Sequence, residues 1–488
     1  MSHEQLITLV TEQTARIGQQ AARIGELEAK LARCEHLLSR NSGNSSMPPS
    51  RDDTPGHTPP VKPKRRAGSG RRKGKQPGAP GATYLAWTED PTLRLDRFPQ
   101  GACGCGADLG AATDLGIVDR YQQHEIPRIV VTVTQYDQHQ VLCGCGATHT
   151  ATRPAGARSG PVTYGPYLQA FAVYLMVVQF IPAHRVVALL ESLTGTAAPS
   201  VGFVHGMLAR ASILLSEADK RIRTLITRAY AVCCDETPLR VGPRTPRPGR
   251  KKAEKYLLVA CTERYTSYLV GDRSLDTFCK SVIVELHDDA VIVHDRYQNY
   301  DSAALGEFTH QLCCQHLLRD TDSAGEVYPD AQWPPQVTCA LRGLIHQTNL
   351  ARAAGADRID AATRDKLITE FRDGVKVGLS ETTSGGDRPG ERKARLLLET
   401  LRDREADVLR FADDLKVPPT SNQAERDLRP AKVQQNISGR LTSQTRTEDR
   451  YRIRGYVSTA IKHGHNAFDV LHEAIIGQPW MPPDPAPA

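Results

Sequence analysis

A multidomain α/β protein is the fold class this sequence predicts, and three observations predict it. First, five apolar strand-like runs follow one another: "AYAVCCDETPLRV" (229–241), "KYLLVACTE" (255–263), "YTSYLVGD" (265–272), "AVIVHD" (290–295) and "THQLCCQH" (309–316). A helical pattern over 276–286 separates the third from the fourth. Second, residues 336–416 read as helix with few strand signals. Third, the first 160 residues carry a heptad repeat, a basic stretch and a cysteine repeat, each unlike its neighbours. Three antiparallel-type strands, a helix, and then strands alternating with helices fit a ribonuclease-H-like core with a helical insertion. A length of 488 residues leaves room for about three domains.

Residues 1–40 are expected to form a coiled coil. Val10, Ile17, Ile24, Leu31 and Leu38 recur every seven residues, and Leu6, Gln13, Gln20, Leu27 and Cys34 stand at d-like positions. A strict seven-residue apolar repeat is a pairing seam, so a homodimer or higher oligomer follows; a lone amphipathic helix docked on the body is the alternative.

Residues 41–95 are a basic linker. "RNSGNSSMPPSRDD" and "KPKRRAGSGRRKGKQPGAPG" hold too few apolar residues to bury a core. Residues 51–75 contain nine Lys/Arg and two Asp/Glu, which accounts for the whole formal charge of +7. Lys64, Arg65, Arg66, Arg71, Arg72 and Lys73 are therefore candidate phosphate contacts, with a solvated tether as the plainer reading.

Residues 96–155 contain "CGCGAD" from Cys103 and "CGCGAT" from Cys143, joined by "IPRIVVTVTQYDQHQVL", which alternates as strands do. Cys103, Cys105, Cys143 and Cys145 outline a zinc ribbon, since four thiolates suit tetrahedral Zn²⁺ and the glycines permit tight turns. Four unligated thiols in a small sheet is the alternative. Residues 160–220 read as helical throughout. "IPAHRVVALLESL" and "VGFVHGMLARASILL" about a Gly-containing turn allow a DNA-binding helix-turn-helix. The core then spans 225–335 and 417–445 around the 336–416 insertion, and 446–488 is a C-terminal helical region and tail.

Chemistry concentrates on three carboxylates. Asp235 ends the first apolar run and Asp295 ends the fourth. Neighbouring strands would bring them together, and two like charges held together need a cation. Oxygen donors without thiols or imidazoles suit Mg²⁺ or Mn²⁺. "TSNQAERDLRPAK" (420–432) supplies Glu425, which by itself could complete a capping box with Asn422. Beside two strand-borne Asp it reads instead as the third ligand. Arg426, Arg429 and Lys432 lie near the same helix face and could meet phosphate, with Pro430 able to bend the helix between them. Glu236 should point to the other face of its strand. Asp288 and Asp289 fall in a turn, Asp301 is a surface or capping residue, and His316 and Arg319 either line the site or serve structure.

"NSSMPPSRD", "GKQPGAPG", the cysteine pairs, "DETPLRV", "HDRYQNYD", "CCQHLLRD" and "NQAERDLRPAK" together resemble the insertion-sequence-66 family of DDE transposases over residues 40–475. The chain departs from that family in its tighter cysteine spacing, in Gln423 where Asn is usual and in Ala79 where His is usual. The resemblance implies a catalytic triad of Asp235, Asp295 and Glu425 holding two Mg²⁺ (or Mn²⁺). It also implies double-stranded DNA as partner at the element's terminal inverted repeats and at its target, metal-dependent cleavage and strand transfer, and small accessory proteins of the element. A DNA-binding repressor without catalysis and a ribonuclease-H-like nuclease are the rival functions. No signal peptide or spanning segment is apparent, and a cytoplasmic, nucleoid-associated protein is expected; "LQAFAVYLMVVQFI" (168–181) is too short to cross a bilayer.

Overall fold

The structure, a computed structural model, describes residues 13–21, 23, 24, 27, 31, 87–126, 129–195, 199–243, 255–384 and 390–484. The basic residues Lys64, Arg65, Arg66, Arg71, Arg72 and Lys73 lie outside these, as do Leu6, Val10, Cys34 and Leu38 of the heptad seam. Residues 13–21 are helical, and Ile17, Ile24, Leu27 and Leu31 are exposed. The chain falls into two compact units. One comprises 62–133 and 193–195; the other comprises 1–61, 134–192 and 196–488.

The smaller unit has little regular structure among its described residues: one 3₁₀ turn at Leu109–Ala111 and an Ala102–Asp108 bridge. Most of the predicted strand pair is not formed. Residues 129–139 run without a partner strand, and pairing is confined to β1 (Gln140–Leu142) and β2 (Thr148–Thr150) in the larger unit. Alternation was present, but these residues are exposed, and without burial on one face β-propensity does not pair strands.

The larger unit is built on a five-stranded mixed sheet: β3 (Ala231–Leu239), β4 (Lys255–Cys261), β5 (Thr266–Gly271), β6 (Val291–His294) and β7 (Thr309–Leu312). Their order is β5-β4-β3-β6-β7, antiparallel on one side of β3 and parallel on the other. Both faces are covered, which is why the strands read as near-continuous apolar runs. On one face Val232, Cys234, Leu258, Ala260 and Ile292 meet helices α1 (Pro166–Val177), α3 (Val201–Leu214) and α4 (Ser216–Thr227) in a common core. The apolar 168–181 stretch is thus mostly a buried core helix, and no helix among the described residues is long and apolar enough to cross a membrane. Helix α2 (Ala183–Thr194) precedes α3, whose main partners are α1 and the later α12 and α13; the helix-turn-helix pairing is not the principal contact.

Three expected boundaries are corrected. The helix over 276–286 divides into one turn, α5 (Leu275–Phe278), and a 3₁₀ segment at Val282–Glu285. The fifth strand stops at Leu312, and helix α6 (Cys314–Val327) begins within the predicted run. The insertion comprises α7 (Trp333–Ala353), α8 (Ala361–Glu381), α9 (Glu391–Asp403) and α10 (Glu405–Asp413), with its own core of Trp333, Leu341, Phe371, Leu398 and Phe411.

The second sheet face is covered by α11 (Asn422–Ile437) and α12 (Gln444–Lys462), followed by α13 (Ala467–Ile475). Ala424, Leu428 and Ala431 of α11 bury against Cys233, Leu257, Val259 and Val293. Leu428 alone contributes about 2 kcal/mol by burial. Helix α12 crosses the 445 boundary expected of the core and lies on β5. Gly455 makes that approach possible, because a Cβ there would stand 3.0 Å from the Thr266 carbonyl oxygen.

Candidate active site

Strand register brings the two aspartates together. In the parallel β3–β6 pair Cys233 faces Val293, so two residues further along each chain Asp235 and Asp295 are level. Side chains alternate across a sheet, and Cys233 and Val293 both face α11. Asp235 therefore falls on the face covered by α11, and Asp295 follows directly after the end of β6, close enough to act on the Asp235 carboxyl. Asp235 does not end its strand, as the sequence suggested. The β3–β4 ladder continues to Leu239, and only the pairing with β6 stops at Cys233. The Asp235 Oδ1 accepts the Glu236 N–H at 2.8 Å, and the Asp295 Oδ1 accepts the Tyr297 N–H at 2.8 Å.

Burial, with Glu236 and Asp295 nearby, pushes the Asp235 carboxyl up to about 8, against the opposing pull of His316. Glu236 points to the other face as expected, where Arg273 pairs with it and the Tyr300 hydroxyl donates to its Oε2 at 2.9 Å. His316 stands near both aspartates. It lies in the first turn of α6, and although burial disfavours its charge, the Cys313 sulfur and the Asp235 and Asp295 carboxylates raise it to about 9. Its Nδ1 is buried and has no hydrogen-bond partner. The Cys313 Sγ in turn accepts the Ser421 N–H at 3.2 Å, just before α11.

Glu425 sits in the first turn of α11, where the positive end of the helix dipole favours a carboxylate. The capping box is not formed. Ser421, not Asn422, is the N-cap, and no side chain there makes a capping hydrogen bond. Glu425 instead faces Arg319 of α6, with Nη1 and Oε1 3.6 Å apart. Arg426, Arg429 and Lys432 are exposed along α11, which continues through Pro430.

Sequence reading missed what fixes the rotation of α11. The Asp427 carboxylate accepts from Lys462 of α12 at 2.7 Å, from the Thr266 hydroxyl of β5 at 2.9 Å and from Gln423 at 3.1 Å. The Tyr268 hydroxyl donates to the Asp427 carbonyl at 2.6 Å. Asp427 and Lys462 are 35 residues apart, and no local pattern links them.

Hard oxygen donors close together, with one carboxyl lifted by burial and by its neighbours, fit a divalent cation. Asp235, Asp295 and Glu425 do not, however, gather as tightly as another group. Among the described residues, His294, Asp301 and His310 alone bring three ligating atoms within 4.8 Å of one another. There the His294 Nε2 is 2.9 Å from the His310 Nδ1, burial holds both rings neutral, and Arg404 binds Asp301 at 2.8 Å. The two histidines thus partner each other, and Asp301, expected to be a surface or capping residue, is paired with Arg404.

The cysteine repeat is a structural repeat. In the smaller unit the Gly106 N–H donates to the Cys103 carbonyl at 2.8 Å, with Gly106 at φ 89°. In the larger unit the Gly146 N–H donates to the Cys143 carbonyl at 2.8 Å, with Gly146 at φ 86°. All four thiols are exposed. Hydrogen bonds from the backbone and thiol of Cys105 lower the Cys103 thiol, and those of Cys145 lower Cys143. Each turn thus presents one sulfur, that of Cys103 or Cys143, biased toward the thiolate form that Zn²⁺ binds.

The family described as "Transposase IS66 family" matches residues 161–449, which is 289 of the 488 residues, and a family of unknown function matches residues 3–84. No curated protein matches. Among solved structures, the Mos1 strand transfer complex is similar at 9% identity and a TM-score of 0.14, over 51% of this chain and 98% of that one. The Mos1 transposase paired-end complex with left transposon end is similar at 13% identity and a TM-score of 0.12, over 53% of this chain and 83% of that one. Scores this low support no comparison of folds.

Proposed function

The chain belongs to the IS66 family of transposases, and from that premise we propose that it cuts and joins DNA at the terminal inverted repeats of an insertion sequence. The sheet is read as ribonuclease-H-like, with Asp235, Asp295 and Glu425 as ligands for two Mg²⁺ or Mn²⁺ ions. The observation that supports this reading is the β3–β6 register, whose last pair, Cys233 and Val293, lies two residues before Asp235 and Asp295 and packs against the Glu425 helix. Such ions, when bound, activate an attacking oxygen and stabilise a leaving one in phosphoryl transfer.

The chain's own residues do the rest. Asp235 and Asp295 are held in place by the sheet and by backbone N–H donors. His316 offsets part of their charge. Arg426, Arg429 and Lys432 line the exposed side of α11, where a DNA backbone can reach them. The heptad seam pairs protomers, accessory proteins of the element assist, and the protein works in the cytoplasm on the nucleoid. The test is strand transfer with a labelled element end in Mg²⁺. Joined product supports the reading. Binding without cutting points to a repressor, and cleavage of RNA–DNA hybrids alone points to a nuclease.

Two predictions concern the modules before the core. Replacing the eight Lys/Arg of 62–75 with Gln should weaken binding to element-end and random DNA alike. For every phosphate that is no longer neutralised, the log–log salt slope should flatten by about 0.9. Loss of end preference with random-DNA affinity unchanged would show that the arm reads sequence instead. The purified protein should also bind zinc through its Cys-Gly-Cys turns, with less zinc retained on Cys→Ser substitution at Cys103, Cys105, Cys143 or Cys145. Zinc-free protein prepared under reducing conditions would remove that assignment.

A further inference from the structure

Helix α6 presents Cys313, His316 and Arg319 at intervals of three, so they share one face (Cys313 being its N-cap). That face meets the carboxylates in turn: His316 is drawn by Asp235 and Asp295, and Arg319 by Glu425. Among the described residues, this is the one ion pair Glu425 makes. Both side chains are about a quarter exposed, at 28% and 25%. Their separation of 3.6 Å exceeds a hydrogen-bond length, so the attraction is one of charge without a tight bond.

We infer that Arg319 is the resting partner of Glu425, a positioning residue that holds this carboxylate in the metal-free protein and gives it up when a divalent cation enters. The inference rests on the reading of Glu425 as a metal ligand. It explains why the three carboxylates do not gather among the described residues although two are level: the third is turned toward a resident cation. A doubly charged ion with ligands at about 2.1 Å outcompetes a singly charged guanidinium at 3.6 Å. Arg319 therefore sets a threshold for loading the site without preventing it.

The probe is Mn²⁺ itself, titrated into the full-length protein without DNA and followed by the resonance signal of free Mn²⁺. Arg319→Gln should bind Mn²⁺ roughly three- to tenfold more tightly than the wild type, the scale of a partly exposed ion pair. Arg319→Lys, which keeps the charge, should stay near the wild type. A residue that merely supported the fold would weaken Mn²⁺ binding when removed, so tightening separates the two roles. Arg319→Met is made alongside to keep the packing of the stem. If neither neutral variant folds, or if neither tightens Mn²⁺ binding, the inference is overturned. Glu425→Gln is the control. If it leaves Mn²⁺ binding unchanged, the three-carboxylate reading itself fails. If it weakens binding while Arg319→Gln has no effect, only the Arg319 inference fails.

Discussion

Asp235→Asn, Asp295→Asn and Glu425→Gln should each reduce cleavage and strand transfer by roughly a thousandfold or more while leaving end binding nearly intact. Each removes one charge from the proposed site with little change in shape. Asp235 should also show a second effect of opposite sign. Its folded-state value of about 8 lies above the ordinary 3.8, so the native protein without metal favours the protonated carboxyl. Stability that is present at low pH is then lost as pH rises from about 4 through 8. Asn cannot ionise and escapes that loss. In EDTA at pH 8, Asp235→Asn should melt higher than the wild type, by on the order of 5 °C if about 2 kcal/mol is recovered. The gap should close as the buffer is taken toward pH 4. Thermal melts across that range and an end-cleavage assay on the same preparations check both halves. A variant that melts below the wild type at pH 8, or still cuts, would remove Asp235 from the site.

What the sequence made legible were the features encoded over short distances. The strand runs were readable because both sheet faces are covered, which leaves little polar interruption in β3, β4 and β6. Asp235, Asp295 and Glu425 stood out as carboxylates at element ends, yet Asp235 lies in the middle of β3. Which neighbouring strand stops first is a tertiary fact: β6 leaves the sheet at His294 while β4 runs beside β3 to Leu239. The 126–142 run illustrates the opposite failure. It carries the period-2 signal, yet its described residues have no buried face, and among them only 140–142 pair. His316 and Arg319 were named as candidates without a decision. Their partners are distant along the chain, with Glu425 106 residues beyond Arg319. The capping-box pattern around Glu425 was locally sound and lost to that long-range attraction.

The least legible feature should also carry the largest stability effect. Asp427 and Lys462 are buried together, with 9% and 11% of their side chains exposed. Lys462 also donates to the Thr262 carbonyl at 2.8 Å and the Tyr265 carbonyl at 3.2 Å, so its ammonium ties α11 and α12 to the β4–β5 turn. Replacing Lys462 with Met leaves the Asp427 carboxylate buried with only hydroxyl and amide donors. Removing one partner of a buried pair costs about 3–5 kcal/mol, because the remaining charge is uncompensated. Replacing both groups costs less, since the stranded charge is gone. Urea unfolding should therefore show Lys462→Met as more damaging than the Asp427→Asn/Lys462→Met double variant. The functional consequence follows from position. Asp427 is two residues from Glu425 on the same helix, and its side-chain bonds to Lys462 and Thr266 set the rotation of α11 against the sheet. Lys462→Met should thus lose strand transfer even at temperatures where it remains folded. The double variant should recover stability but not full activity, because the bond that tied α11 to α12 is absent from it. If Lys462→Met proves as stable as the wild type, the pair is not buried in solution as described. If it is destabilised yet transfers strands at the wild-type rate, α11 is held by its apolar face alone, and Ala424, Leu428 and Ala431 suffice to aim Glu425.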